Sequence, residues 1–399
     1  MDALRGIAML LGVVTHATLA YTTIPINGLL IESYDRHKIF DFLYLYLHLF
    51  RMPLFFIVAG FFARFLYFRI GEAAFIRHRV GRILIPFLVC LITIRPLTEA
   101  PFLFYKYVNS HHSISTYSAL LYALRNCFNW MGTFHLWFLY YLSIYYVAML
   151  VLIHFSKTTT GNFIMSFFVA PLKRYSLIHL GNVILLTLPI FVLLLPFKTA
   201  EVGIDTGSIF PRLNYCAFYG FFFFLGLLLH VQIKNLKKTG SNTWVGLIGG
   251  SMTAILFFVL KDHESIILFG QIRVFYLCKL LTAVSTILLT FGFLGLFMKY
   301  FSFESKRLRY ISDSSYWVYL IHLAFVLTLQ GLLSRYLFPA GIKFLIVLVV
   351  PTLISFVTYE WFVRYTIIGK CLHGPRKRKL KTTRRNKSTN FLGLSWTSE

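Results

Sequence analysis

The sequence predicts an all-α, polytopic bundle of transmembrane helices, and three observations carry that expectation. Of 399 residues, 58% are hydrophobic and only 13% charged, with a mean hydropathy of +0.71; soluble chains are nearer half apolar and a quarter charged. Apolar runs of about 20 residues, long enough to cross a bilayer, recur along the chain. Lys+Arg outnumber Asp+Glu by 39 to 14, a formal net charge of +25, and alternate connecting segments share that excess unequally. A soluble enzyme, a disordered chain or a nucleic-acid-binding domain would not combine these properties.

Taken in order, ten spans are expected, over residues 4–24, 52–68, 83–105, 134–155, 177–196, 213–231, 244–260, 274–297, 315–333 and 344–365. The first has no small-residue cleavage site and reads as a retained span. The third carries Arg95, Pro96 and Glu99, unusual company for a bilayer helix. Residues 39–50 are rich in aromatics and are separated from the second span by Pro53, which reads as an interfacial helix on the outer side.

Cationic loops stay in the cytoplasm. Arg64, Arg69, Arg77, Arg79 and Arg82 fall on one side, together with Lys157, Lys173, Arg174, Lys234, Lys237, Lys238, Lys299, Lys306, Arg307 and Arg309. Arg5 and the basic C-terminal residues join them, and an even span count puts both termini on that side. The opposite loops hold Glu32, Asp35, Glu201, Asp205, Asp262 and Glu264. Both termini are therefore expected in the cytoplasm. Residues 1–370 form the transmembrane domain, and 371–399 a basic, disordered cytoplasmic tail. Its run from Arg376 to Lys387 reads as a topology anchor, with anionic-lipid or nucleic-acid binding the functional alternative, and no nucleic-acid partner is expected. Cys90, Cys127, Cys216, Cys278 and Cys371 show no metal-ligand or disulfide spacing and read as thiols; no metal site is expected.

Titratable groups inside spans are costly and point to function. His16 lies eleven residues beyond Arg5, roughly 16 Å along a helix and on nearly the same face. Arg51, Arg95, His135, Lys279, His322 and Glu360 also lie in spans or at their edges. Arg79 and Arg82, at i and i+3, share a helical face at the cytoplasmic start of the third span, and paired guanidinium forks suit phosphate. A neutral imidazole in a partly dry pocket suits a general base. An anionic cofactor docked at the cytoplasmic face, its reactive end reaching His16, fits acyl-CoA: phosphates at one end of a long arm, thioester at the other. Arg79 and Arg82, with Arg77, would hold the phosphates; Asp2 would pair with Arg5 or Arg82. Direct transfer and a covalent acyl-His or acyl-Ser intermediate remain open, as does a homodimer. The rival class is a proton-coupled secondary transporter, with His16 and Glu360 relaying protons and Arg95 or Lys279 binding an anion. Trp130, Trp137 and Tyr140 read as an interfacial aromatic belt.

Several segments resemble the acyltransferase-3 family of integral membrane proteins. They are Asp2-Ala3-Leu4-Arg5-Gly6 with His16 and Tyr21; Arg51 to Gly60; the Arg79/Arg82 pair with Ile83-Leu84-Ile85-Pro86; Phe134-His135-Leu136-Trp137-Phe138-Leu139; Ser315 to His322; and Tyr359-Glu360. The resemblance runs from residue 2 to about residue 366. It implies transfer of a succinyl or acetyl group from cytoplasmic acyl-CoA (a co-substrate, with no tightly bound cofactor) to a hydroxyl of an extracytoplasmic glycan. A periplasmic glucan is the expected acceptor; relatives also acylate O-antigens and exopolysaccharides. It further implies a bacterial inner-membrane location, His16 as catalytic base, Arg5 as its motif partner, Arg79 and Arg82 at the donor site, and supporting positions at Arg51, His135, His322 and Glu360.

Overall fold

Helices form along the apolar runs, and among the described residues there is no strand. The computed structural model describes residues 2–23, 35–110, 115–129, 132–160, 162–163, 185–203, 210–231, 243–263, 271–301, 305–374 and 376. In order these contain α1 (Asp2–Thr18), α2 (Lys38–Ile70), α3 (Glu72–Arg79), a π-helical turn (Val80–Leu84), α4 (Ile85–Ser110), α5 (Thr116–Asn126), a short turn (Phe134–Leu136) and α6 (Trp137–Ser156). Then follow α7 (Thr187–Leu194), α8 (Leu213–Val231), α9 (Thr243–His263), α10 (Gln271–Tyr300), α11 (Lys306–Leu333), α12 (Ala340–Thr358), a second π-helical turn (Tyr359–Val363) and α13 (Ile367–His373).

Eight described helices are long and apolar enough to cross a membrane, and Gly6–Tyr21 adds a shorter apolar one. Of the fifth expected span, residues 177–184 fall outside the described part and the remainder contains α7. Two boundaries are corrected. Lys38–Ile70 is one continuous 33-residue helix with Pro53 inside it, so 39–50 is not a separate interfacial piece. Neighbouring helices let a proline-containing segment stay helical where an isolated peptide would break. The third span is part of a 39-residue helical stretch from Glu72 to Ser110. At the C-terminus α13 runs across residue 370, where the tail was expected to begin; residues 377–399 lie outside the described part.

Two helices organise the bundle. α2 packs on α1, α8 and α10, while α11 packs on α1, α4 and α12. With little hydrophobic drive between helices in lipid, close backbone approach supplies the packing. On α2 and α8 it is reciprocal: a Cβ at Gly60 would sit 2.0 Å from Phe223 O, and one at Gly226 2.1 Å from Ile57 O. α1 and α11 run parallel, since Gly6 abuts Ser312 near their starts and the Gln330 amide reaches the His16 carbonyl near their ends. α2 runs the other way: the Thr23 N–H beyond α1 bonds the Asp41 carboxylate in the first turn of α2 at 2.9 Å. This register brings the middle of α2 and the last turn of α1 to one level.

The intramembrane charges that a transporter reading would assign to anion binding have structural partners. Lys279, 1% exposed, donates from Nζ to Leu194 O, Leu195 O and Phe197 O at 3.0, 3.1 and 2.7 Å, capping the carbonyl end of α7. Arg95 pairs with fully buried Glu99 at 2.6 Å and donates from Nε to Gly132 O at 2.9 Å and from a terminal nitrogen to Asn129 O. That second set of bonds braces the segment leading into Phe134–Leu136.

Candidate active site

The site grows from the last turn of α1. There the final carbonyls lack intrahelical partners, and Gln330 Nε2 from α11 donates to His16 O at 3.0 Å and Ala17 O at 3.3 Å. The His16 ring lines a cavity together with Gly12, Tyr44, Arg51, His135 and His322.

Three histidine rings converge here. The His322 ring centroid lies 5.2 Å from that of His16 and 5.4 Å from that of His135. His322 Nδ1 faces two main-chain acceptors, Val318 O at 3.0 Å and Tyr319 O at 2.9 Å. Carbonyl oxygens only accept, so Nδ1 carries the proton and Nε2 presents a lone pair. His135 Nε2 donates to Leu320 O at 2.9 Å, and its own carbonyl accepts from the Tyr319 hydroxyl at 2.6 Å. Buried His16 Nδ1, His135 Nδ1 and His322 Nε2 have no hydrogen-bond partner among the described residues. The backbone delivering His135 is strained: Phe134 has φ +47°, a left-handed conformation costing a non-glycine residue about 1–2 kcal/mol.

Arg51 enters from α2, 7% exposed. Glycine at position 12 makes room for it, because a Cβ there would lie 2.8 Å from Arg51 Nη1. One turn earlier His48 donates from Nε2 to Val202 O at 2.7 Å and stacks on Tyr44, centroids 5.3 Å apart.

A second, larger cavity opens at the end of the bundle where α3 and α4 meet. His78, Arg79, Arg82, Asp313, Tyr316 and His373 are among its lining. Met9, Phe55 and Phe138 line both cavities, so the two adjoin. From Ser312 at the outer cavity to His322 at the inner one, α11 advances roughly 15 Å.

The arginine pair does not share a regular helical face. Arg79 closes α3, whereas Arg82 lies within the π-helical turn. The cause is legible two residues past that turn's core: Pro86 has no N–H to give Arg82 O, its i−4 carbonyl, and the Tyr316 hydroxyl from α11 donates to that oxygen at 2.9 Å instead. Arg79 is steered by its π contacts, its guanidinium carbon 5.2 and 4.8 Å from the Phe75 and Tyr146 ring centroids.

The C-terminal segment closes part of the outer cavity. Arg376 bonds Asp313 at 2.5 Å, and a Cβ at Gly374 would lie 2.8 Å from Arg82 Nη2. His373 Nδ1 donates to Gly374 O at 2.9 Å, and burial holds the ring below the usual histidine pKa, outweighing the Gly374 carbonyl that raises it.

Of the residues expected from sequence, His16, Arg51, His135 and His322 gather at the inner cavity, and Arg79 and Arg82 at the outer one. Arg77 is exposed and lines neither. Glu360 also lies outside both, chelating Arg364 at 2.7 and 2.8 Å. The side chains of Asp2 and Arg5 lie outside the described residues. Trp137, expected in an aromatic belt, is buried at the inner cavity, because its helix begins within the bundle; Trp130 is outside the described part. Sequence reasoning passed over His48, Gln330, Asp313, Tyr316 and His373. His48 carried a usable signal: it precedes Arg51 by three residues, one helical turn.

The Acyltransferase domain family matches residues 1–360. Glucans biosynthesis protein C of Salmonella typhimurium is 25% identical over 399 residues, covering 96% of this chain and 97% of that protein. The protein of the same name from Salmonella paratyphi B is 26% identical over 382 residues, covering 92% of each. No solved structure matches.

Proposed function

The chain belongs to the acyltransferase-3 family of membrane acyltransferases, and from that premise we propose that it transfers a succinyl or acetyl group from cytoplasmic acyl-CoA to a hydroxyl of a periplasmic glucan at the bacterial inner membrane. One observation carries this reading: a cavity lined by two arginines adjoins a second one lined by His16. The intervening ~15 Å of helix is on the scale of a pantetheine arm. The relatives' printed name, glucans biosynthesis protein C, favours a glucan acceptor over other glycans.

In this reading the basic end of the bundle faces the cytoplasm. Arg79 and Arg82 hold the donor's phosphates, and guanidinium forks match that geometry. The thioester reaches the inner cavity past Met9, Phe55 and Phe138, whose apolar side chains exclude water around the arm. His16 removes the proton from the acceptor hydroxyl as its oxygen attacks the thioester carbonyl carbon. The C–S bond then breaks, and His16 returns the proton to the departing thiolate. Arg51, against Gly12 one turn from His16, stabilises the negative charge on the carbonyl oxygen.

The test uses the purified full-length protein in lipid nanodiscs with radiolabelled succinyl- or acetyl-CoA and glucan. Thiol release and label on the glucan are expected, and both are lost in His16→Ala and Arg82→Ala while the protein stays inserted. Full acylation by His16→Ala would overturn the mechanism; an untouched thioester in the wild type would overturn the activity.

A further inference from the structure

We propose that His322 is a positioning residue for His16: its Nε2 accepts a hydrogen bond from His16 Nδ1–H and so presents His16 Nε2, as a lone pair, to the acceptor hydroxyl. The proposal rests on the reading of His16 as base and assigns its neighbour a task.

A base must be held in one tautomer and one orientation to work. His16 has its carbonyl fixed by Gln330, yet its Nδ1 is buried with no partner among the described residues. Beside it stands a second orphan of opposite character. His322 Nδ1 is committed as a donor to Val318 O and Tyr319 O, which makes buried Nε2 an acceptor. Ring nitrogens lie a little over 1 Å from the centroid. Two nitrogens turned toward each other across the 5.2 Å centroid separation would lie about 3 Å apart, hydrogen-bond distance. The rings are tilted by 47°, and turning His16 about its Cβ–Cγ bond, a soft torsion, aligns them.

One bond then satisfies two buried polar atoms, each costly to leave unpaired. The resulting chain runs from the main-chain carbonyls of α11 through His322 and His16 to the substrate hydroxyl. It is the orienting logic of a nucleophile–base–orienter triad, with a neutral imidazole anchored on backbone in place of a carboxylate. His135 buttresses the anchor: its ring meets His322 edge-on at 76°, and its own orientation is fixed by the Nε2–H bond to Leu320 O.

The test compares His322→Phe and His322→Gln with wild type in nanodiscs, reading kcat and KM for acyl-CoA in the glucan-dependent reaction. Phenylalanine keeps the ring volume and removes the acceptor; kcat falls about 100-fold while the donor KM stays within about twofold, as for an interaction made at the proton-transfer step. Glutamine restores an acceptor oxygen near the Nε2 position and an N–H for the α11 carbonyls, and recovers kcat to within about tenfold of wild type. Wild-type kcat in His322→Phe overturns the proposal, as does equal loss in both variants when both are inserted and monodisperse. If His16→Ala is inactive while His322→Phe is fully active, the proposed function stands and only the positioning role fails.

Discussion

The hydroxyl of Tyr316 is bonded to the main-chain oxygen of Arg82 at 2.9 Å, which ties the arginine that lines the outer cavity to the helix that carries His322. The bond answers a gap in the covalent chemistry of the chain: proline at 86 cannot bond that carbonyl, the helix widens into a π turn, and a phenol from the neighbouring helix supplies the donor. Tyr316→Phe removes only this donor. A lost neutral hydrogen bond of about 1 kcal/mol raises the KM for acyl-CoA about fivefold with little change in kcat. Steady-state thiol release against donor concentration measures it.

Gly12→Ala separates stability from activity. Alanine favours the helix by roughly 1 kcal/mol over glycine, but its Cβ would stand 2.8 Å from Arg51 Nη1 and push the guanidinium out of place. Thermal unfolding is expected to stay near wild type while kcat falls at least about tenfold, for want of the charge that Arg51 supplies.

The Arg95–Glu99 pair should behave as a buried ion pair. Removing one partner strands the other: Arg95→Ala leaves Glu99, with no exposure, facing no cation, and costs about 3–5 kcal/mol. Replacing both, as Arg95→Met with Glu99→Leu, recovers part of the thermal stability, though not the two bonds to Gly132 and Asn129. Comparing the single and double variants by thermal unfolding in one detergent decides it. Parity between them would remove the role assigned to the pair.

Docking of α13 depends on pH through His373. Burial depresses its pKa in the fold, so the folded state binds fewer protons than the unfolded one near neutrality. The contribution is full above the unfolded pKa of about 6.5 and is lost as pH falls through the lower folded value. Limited proteolysis after Ile367 is expected to accelerate at acid pH, and His373→Gln to remove that dependence.

Much of the fold was legible before any coordinates. Period and length of the apolar runs identify most spans, because a bilayer helix must satisfy its backbone internally and cover itself in apolar side chains, and both demands are written locally. Pro53 misleads for the same reason: the local rule for proline is right for an isolated helix, and α2 survives because α8 and α10 pack against it. The cavity residues divide similarly. His16, Arg79 and Arg82 stand out as polar groups in apolar company. Gln330, His48 and Tyr316 do not, since each acquires its meaning from a partner far away in the chain.

Sequence alone determined that the chain is a helical membrane bundle of this family, and that its rare intramembrane cations and imidazoles matter. Tertiary structure decided which of those groups meet. Lys279 and Arg95 look as functional in the sequence as His322, yet they cap a helix and brace a loop, whereas His322 is brought ring to ring with His16 from more than three hundred residues away. Periodicity is a property of neighbours in the chain. A hydrogen bond between two helices depends on their register, and that register is set by contacts such as Gly6 against Ser312.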